Sequence, residues 1–256
     1  MKIAYFNNVS LSSVFGVRIL RRVVHPIPPR AISAGELAND DGAKLVSANY
    51  KAREIVIEGD ITRNLRSQME DSRDLLLALL TPTEAPLELD QSGVRRKYTA
   101  TVSNIIFSEA KGGYLPFSIT FLCSDPFGYN TTPTAIALGA AVTTFYSEKT
   151  FNILGSIYAL PAITVIVNTH TGTTSNRISL TNPDTGEVIS VDRDWTNADS
   201  LVVDCANRTV KVNGTAVNYI GKFPKYNPKI GNKLVYQDDF TARNVTLQFS
   251  YTKRWL

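Results

Sequence analysis

The chain has 256 residues, of which 43% are hydrophobic and 20% charged, and its formal net charge is +4. This length fits one large domain or two ordinary ones, with enough apolar residues for real hydrophobic cores. Lys and Arg are scattered, with only short clusters such as Arg21-Arg22 and Arg95-Arg96-Lys97. Nucleic-acid-binding surfaces concentrate these residues on one face or groove, so the composition argues against that class of protein.

The sequence predicts neither a secretory signal nor a membrane span. The first eight residues, MKIAYFNN, lack an apolar core segment. No apolar run approaches the roughly 18 residues of a membrane-spanning helix. The two cysteines, Cys123 and Cys205, are too few for a disulfide framework or a metal set. We expect both to be reduced core residues, which implies synthesis in a cytoplasm.

The first half of the chain predicts mainly strands. Residues 1–24 predict two strands around a bend at 15–16, and strict apolar–polar alternation predicts a further strand over 53–62. Between them, residues 30–49 have a weak pattern around a strong turn signal, NDDG at 39–42. This segment is predicted to be a long loop or a projecting hairpin, and loops longer than about 12–15 residues in a compact domain are usually functional or mobile.

Residues 63–80 form the one segment with helical periodicity. We expect Thr62 or Asn64 to cap the helix start and Thr81-Pro82 to end it. A helix packed on a sheet explains the apolar stripe without any ligand. The predicted stripe comprises Leu65, Met69, Ser72, Leu76 and Leu79, widened by Leu75 and Leu80. Further strands are predicted over 85–89, 96–107 and 115–123.

A polar, Pro-containing segment, NTTPT at 130–134, marks the predicted domain boundary. It separates a first domain, residues 1–130, from a second, residues 131–256. After the boundary, short strands and frequent turns predict a β-sandwich or jelly roll. The predicted strands of this part are 135–138, 143–147, 162–168, 176–182, 187–191, 200–204, 209–212, 231–236 and 244–251.

Few residues offer catalytic or metal-binding chemistry. The two histidines, His25 and His170, fall in different predicted domains, and neither has a Cys, Asp or Glu cluster at metal-ligand spacing. We therefore expect no metal and no cofactor. The sequence also lacks a nucleophile elbow and a phosphate-binding Gly-rich loop before a helix.

Four carboxylates remain as an enzymatic alternative. A glycosidase needs two carboxyl groups flanking the scissile bond, and Asp192, Asp194, Asp199 and Asp204 lie close together in the sequence. However, the first three fall in a predicted connection, and the fourth precedes a hairpin turn. Aspartate is common at such positions because it makes local hydrogen bonds. A protein that is not an enzyme is therefore expected.

Three aromatic residues of the second half are candidate ligand contacts. Trp195, Tyr226 and Tyr236 could stack on the apolar face of a sugar. The alternative interpretation is packing in the core or at a subunit interface, and it is the preferred one. The segment that contains Trp195 leads into the apolar strand predicted over 200–204, and a Trp just before a core strand commonly closes the end of a sandwich.

The chain resembles the distal tail proteins of siphophages, the Dit-like siphovirus tail component group. The resemblance covers essentially the whole chain, because the matching segments occur in the expected order. They are REIVIEG at 53–59 before the single helix, FLCSDPFGY at 121–129, LVVDCANRTVKVNG at 201–214, GKFP at 221–224 and NPKIGN at 227–232.

The resemblance implies a mainly β fold in two parts. The first would be an N-terminal belt domain, a β-barrel or sandwich with one helix, and the second a C-terminal galectin-like β-sandwich, or jelly roll. The family forms a hexameric ring around a lumen through which DNA passes without specific binding. The implied partners are other copies of the chain, the tail tube protein, the tail tip protein and a receptor-binding protein, with no membrane.

Two hypotheses for function therefore remain open. The first is a structural hub of the tail tip or baseplate, located in the virion after assembly in the host cytoplasm. The second is a host-glycan-binding adhesin module of the tail. A galectin-like fold does not establish sugar binding. Residues 30–49 are the first candidate for an arm that contacts a neighbouring protomer, because a ring requires contacts between two different surfaces of the same chain.

Overall fold

The chain forms two compact units, one of residues 1–131 with Leu256 and one of residues 132–255. The computed structural model describes residues 4–24, 27–36, 43–91 and 93–256. These contain twenty strands and one α-helix, α1, so the molecule is mainly β, as predicted. No helix in these ranges is long and apolar enough to span a membrane.

The first unit is built on one antiparallel sheet. Its strand order is β2-β1-β7-β8-β9-β6-β3, and β10 pairs with β8. A short 3-10 helix, Leu11–Ser13, precedes β3. The strands are β1 (Ala4–Phe6), β2 (Val9–Ser10), β3 (Val17–Val24), β4 (Arg30–Glu36), β5 (Ala43–Tyr50), β6 (Arg53–Thr62), β7 (Ala85–Gln91), β8 (Val94–Phe107), β9 (Tyr114–Cys123) and β10 (Gly128–Asn130).

Strand β6 shows how the sequence alternation positions this sheet. Ile55, Ile57 and Ile61 are fully buried. Glu54, which precedes Ile55 and points to the opposite face of the sheet, is exposed. Successive side chains of a strand point to opposite faces, so alternating apolar residues place one face on the core. The strand spans the predicted residues and pairs with β3 on one side and β9 on the other.

The helix is shorter than predicted and is capped differently. It spans Arg66–Leu79, and neither Thr62 nor Asn64 caps it, because Leu65 occupies the N-cap position without a side-chain hydrogen bond. The sheet explains the late start. Thr62 still pairs with Tyr114 at the end of β6, and the Arg63 backbone N–H donates to Gly113 O at 3.0 Å.

The buried face of α1 is also narrower than the predicted stripe. Met69, Ser72 and Leu76 are buried, whereas Leu65 and Leu75 are 57% and 60% exposed. The Ser72 hydroxyl donates to Phe15 O at 2.9 Å, so this polar residue of the stripe has a partner in the first unit. A helix that packs on one sheet buries a single narrow face, and the two outer leucines lie beyond it.

The second unit contains the other ten strands. The strand order is β11-β19-β13-β15-β16-β17, with β12 paired to β19, β14 paired to β13, and β18 paired to β14. The strands are β11 (Thr134–Ala137), β12 (Tyr146–Phe151), β13 (Ala162–Asn182), β14 (Glu187–Asp192), β15 (Asp199–Asp204), β16 (Thr209–Val212), β17 (Thr215–Ala216), β18 (Ile220–Gly221), β19 (Asn232–Tyr251) and β20 (Arg254–Trp255).

Two long strands, β13 and β19, replace four predicted short ones. The predicted strands 162–168 and 176–182 are the two ends of β13, and 231–236 and 244–251 are the two ends of β19. Their mutual register shifts twice, between Val167 and Thr169 and between Thr173 and Ile178 of β13. Bulges of this kind bend a strand without ending its pairing. The polar residues between the apolar runs therefore lie in continuous strands.

The two ends of β13 have different neighbours, which gives the unit two halves. Its first end pairs with β15 and its second end with β14, while β19 runs beside both. One cluster of buried residues draws from both halves, including Ile163 and Val165 of the first and Leu180 and Ile189 of the second. The halves therefore share one core, as in a sandwich.

Candidate functional site

The hairpin formed by β4 and β5 carries exposed apolar side chains. Its two strands pair with each other and with no other strand in the described residues. Ile32, Leu45 and Val46 are 69%, 60% and 70% exposed. The segment predicted as a loop or hairpin is thus a hairpin, whose predicted turn at 39–42 lies outside the described residues.

The base of this hairpin is attached to the first unit. The Tyr50 ring packs edge-on against the buried Phe127, with ring centroids 5.4 Å apart. Arg30 lies 4.5 Å from the Tyr50 ring centroid and donates a hydrogen bond to the Tyr50 hydroxyl. The Lys51 N–H donates to Pro29 O at 2.8 Å. The hairpin therefore leaves the unit in a defined direction rather than from an unsupported loop.

Trp195, the first predicted sugar contact, belongs to the core of the second unit. Its side chain is 6% exposed and is part of the main buried cluster. The indole Nε1–H donates to Asn176 O at 2.8 Å, and the Arg193 guanidinium lies 5.4 Å from the ring centroid. A buried Trp typically donates a hydrogen bond from its indole N–H, here to a backbone carbonyl.

Tyr226 and Tyr236 are also fully buried. The Tyr226 ring lies 5.3 Å from Phe151 and 5.4 Å from Phe249, between centroids. The Tyr236 hydroxyl donates to Asp238 Oδ2 at 2.6 Å. Burial raises the pKa of both phenols. The three predicted residues therefore lie in the core of one unit, and none presents a ring face to which a sugar has access.

The candidate glycosidase carboxylates all have local partners. Asp192 accepts two hydrogen bonds from the Arg177 guanidinium, at 2.8 and 2.9 Å, and this pairing holds the Asp192 pKa below its ordinary value. Asp194 accepts a hydrogen bond from Asn176 Nδ2 at 2.7 Å. Asp192 is the last residue of β14 rather than part of a connection as predicted, and both carboxylates bind residues within β13.

Asp199 and Asp204 are the first and last residues of β15, so Asp199 does not lie in a connection as predicted, and both carboxylates stabilise the turns beside this strand. Asp199 accepts hydrogen bonds from the Thr196 N–H at 2.9 Å and from Asn213 Nδ2 at 2.7 Å. Asp204 accepts hydrogen bonds from the backbone and side chain of Asn207 in the β15–β16 turn. Burial acts to raise both pKa values, but the hydrogen bonds outweigh it and both pKa values are lowered. These contacts account for the carboxylates without a substrate.

The histidines and cysteines do not form a site together. His25 lies outside the described residues. His170, in β13, packs against the Phe240 ring with centroids 4.6 Å apart. Cys123 and Cys205 are buried free thiols in different units, and burial raises each thiol pKa to about 12. Among the described residues no group of three or more His, Cys, Asp or Glu could hold a metal ion.

The two halves of the chain match two descriptions of phage tail proteins. Residues 11–123 match the phage tail protein RIFT-related domain. Residues 155–255 match the C-terminal domain of the siphovirus-type tail component. The chain belongs to the siphovirus-type tail component family, the distal tail proteins of siphophages. It is accordingly a structural component of a phage tail, and its place is the tail of the virion.

A solved structure of a phage tail protein has the same fold. The chain is similar to the Dit protein of phage SPP1, described as a paradigm of the hub adsorption apparatus in phages infecting Gram-positive bacteria, with a TM-score of 0.76 and 14% identity. The match covers 100% of both chains. A chain of the phage P2 baseplate, described as in its activated conformation with calcium, matches with a TM-score of 0.47 and 10% identity, covering 98% of this chain and 97% of that one. A comparison with curated protein sequences finds no significant match.

The tail component family therefore has its predicted fold here, but the sequence did not identify which hairpin residues are exposed. Ile32, Leu45 and Val46 lie in a segment without strict alternation, so the pattern could not assign them to a buried or an exposed face. The sequence does contain an indication of these exposed residues. Apolar residues flank a strong turn sequence in a segment for which no partner strand is predicted.

Proposed function

We propose that this protein is the hub of a siphophage tail tip or baseplate, in which six copies form a ring that joins the tail tube to the tip proteins. The observation that carries the proposal is the β4–β5 hairpin, with its three exposed apolar side chains and its anchored base. The family membership and the SPP1 Dit fold support the same assignment.

A hairpin of this kind suits a contact between neighbouring copies. A two-stranded hairpin alone is at best marginally stable in water, so a second surface that covers it adds to its stability. Burying one Ile, Leu or Val side chain contributes about 1.5–3 kcal/mol. In a ring, one surface of each copy meets a different surface of the next. Projecting hairpins provide the first of these surfaces.

The proposed partners follow from the position of such a ring. We expect the tail tube protein on one side and the tail tip protein on the other, with receptor-binding proteins attached at the periphery. DNA would pass through the lumen without specific binding, and assembly would take place in the host cytoplasm. The two compact units, 1–131 and 132–255, are proposed to be the belt domain and the galectin-like domain.

One observation favours the second candidate, a host-glycan-binding adhesin module. A cavity of about 470 Å³ in the second unit is lined by aromatic and cationic side chains. Neither Trp195 nor Tyr236 lines this cavity. Binding of a ligand in it does not require assembly of the chain into a ring. Glycan binding would therefore add to the hub function rather than replace it.

Substitution of the exposed hairpin residues tests the proposed contact. We expect Ile32→Ser combined with Val46→Ser to lower the mass of the assembly measured by analytical ultracentrifugation at micromolar protein, because the variant loses apolar surface that the neighbour covers. The melting temperature of the isolated chain should change little, since both side chains are exposed.

The matched control is Ile230→Ser, which removes an Ile that is 85% exposed in the second unit. It should leave the mass of the assembly unchanged. An equal assembly for the wild-type protein and the hairpin double variant would show that the hairpin is not the contact.

A further inference from the structure

The cavity of about 470 Å³ in the second unit, named here the Tyr219 pocket, has the composition of a ligand site. It lies between the segment that precedes β13, the start of β14, the β15–β16 turn and the segment around β18. Ligand pockets commonly measure about 300–1,000 Å³ and combine apolar or aromatic walls with a few polar groups. The lining residues that matter here are Tyr158, Glu187, Arg208, Tyr219, Lys222 and Phe223.

One wall of the Tyr219 pocket is held in place by the backbone. Gly221 has a φ of +109°, and a Cβ at this position would lie 2.0 Å from Val188 O, so only a glycine allows β18 to approach β14 this closely. The Lys222 N–H donates to Val188 O at 2.7 Å. The Lys225 N–H donates to Glu187 Oε2 at 3.0 Å. The wall is therefore formed before any ligand binds.

Two aromatic residues of this wall provide a stacking surface. The Tyr219 and Phe223 rings pack edge to face with centroids 5.0 Å apart, which fixes their orientation. Tyr219 is 40% exposed and Phe223 is half-buried. A ring that is supported by a neighbour and open to solvent on another side can receive the apolar face of a sugar. The buried rings of Trp195, Tyr226 and Tyr236 lack this access.

The charged side chains of the pocket are mainly cationic. Arg208, Lys222 and Lys225 line it together with one carboxylate, Glu187. That carboxylate lies 3.6 Å from Lys225 Nζ and accepts the backbone hydrogen bond described above. Arg208 and Lys222 are exposed and form no ion pair with the described residues. The side chains of Arg208 and Lys222 can therefore bind an anionic group next to the Tyr219 and Phe223 rings.

We propose that the Tyr219 pocket binds a saccharide that carries a phosphate or carboxylate group. The sugar ring stacks on Tyr219, and the anionic group contacts Lys222 and Arg208. Hydrogen bonds between a cationic side chain and an anionic oxygen are about twice as strong as neutral ones, so the charge on the sugar determines the selectivity. This site is independent of ring formation and of the β4–β5 hairpin.

Saturation-transfer NMR on the intact protein tests the proposal with four probes: glucose 1-phosphate, glucuronate, glucose and, by phosphorus NMR, inorganic phosphate. We expect both anionic sugars to bind with a Kd below about 1 mM, and glucose and inorganic phosphate each to bind at least fivefold more weakly. The anionic sugar with the lower Kd shows whether the site prefers a phosphate group or a carboxylate group.

Variants then locate the binding. Tyr219→Ala and Lys222→Gln should each weaken the binding of the preferred anionic sugar about five- to tenfold. The matched controls, Tyr146→Ala at another exposed Tyr and Lys111→Gln in the first unit, should leave it unchanged. The masses and melting temperatures of all four variants should equal those of the wild-type protein.

Three results would overturn the proposal. The first is the absence of binding of either anionic sugar at 10 mM. The second is binding that persists unchanged in both pocket variants. The third is tighter binding of a polyglutamate peptide than of either sugar, with loss in Lys222→Gln but not in Tyr219→Ala, which would make the pocket a protein contact.

Discussion

Asp238→Ala is expected to destabilise the second unit by about 3–5 kcal/mol, the cost of leaving a buried charge unpaired. Asp238 is fully buried as a side chain, and the Arg243 side chain beside it is 8% exposed, with Arg243 Nε 2.8 Å from Asp238 Oδ1. The same carboxylate accepts hydrogen bonds from the Tyr236 hydroxyl at 2.6 Å and the Phe240 N–H at 2.9 Å. Removal of the carboxylate therefore leaves three buried donors without their acceptor.

Differential scanning calorimetry measures this effect. For a unit of this size, a loss of several kcal/mol lowers the melting temperature by roughly ten degrees or more. The control is Asp184→Ala, which breaks an exposed ion pair with Lys229, whose Nζ lies 2.7 Å from Asp184 Oδ2. Surface pairs contribute about 0–1 kcal/mol, so its melting temperature should change little. Similar small effects of both substitutions would mean that the Asp238 network is not buried in solution.

Leu76→Asp is expected to destabilise the first unit by several kcal/mol. Leu76 is fully buried on the face of α1 that packs against the sheet. Substitution removes the apolar contacts of a core Leu, which alone cost about 2–5 kcal/mol, and it places a carboxylate in an apolar environment. Calorimetry should show a lower transition for the first unit. If the two units are separate domains, the transition of the second unit stays unchanged.

The neighbouring Leu75 provides a closely matched control. It lies on the same helix and is 60% exposed. Leu75→Asp should therefore have an effect within about 0.5 kcal/mol, as surface substitutions usually do. Equal destabilisation by the two substitutions would contradict the observed orientation of the helix. A loss of both transitions in Leu76→Asp would argue against two independently stable domains.

The sequence predicted the strands and the helix that have one solvent-exposed face and one buried face. Residues 53–62 alternate strictly and form β6 with the predicted bounds. The helical periodicity of 63–80 identified the one α-helix, although Leu65 and Leu75 proved to be exposed. Helix ends were less predictable, because the pairing of Thr62 with Tyr114 keeps the chain in the sheet beyond its apparent cap.

The sequence could not predict continuity through β13 and β19. In both, a polar stretch separates two apolar runs, which is the pattern of two strands and a turn. The structure instead keeps the chain extended through these stretches, with bulges that shift the register. The chain stays extended because β13 and β19 pair with each other, and this pairing between distant segments cannot be predicted from the local sequence of either strand.

The candidate ligand residues show the same limit. Trp195, Tyr226 and Tyr236 have the right side-chain type for sugar binding, but residue type does not distinguish a buried ring from an exposed one. The sequence did not identify Tyr219 and Lys222 as candidate ligand contacts, because their proximity depends on the close approach of Gly221 to β14. That approach follows from a positive φ and a backbone contact distant in sequence.

Electron microscopy of the purified protein at micromolar concentration tests the hub most directly. We expect class averages with six-fold symmetry and an open centre, and particles of about 170 kDa from six chains of 28.2 kDa. Particles of a single chain only, at every concentration over a hundredfold range, would contradict the proposed ring.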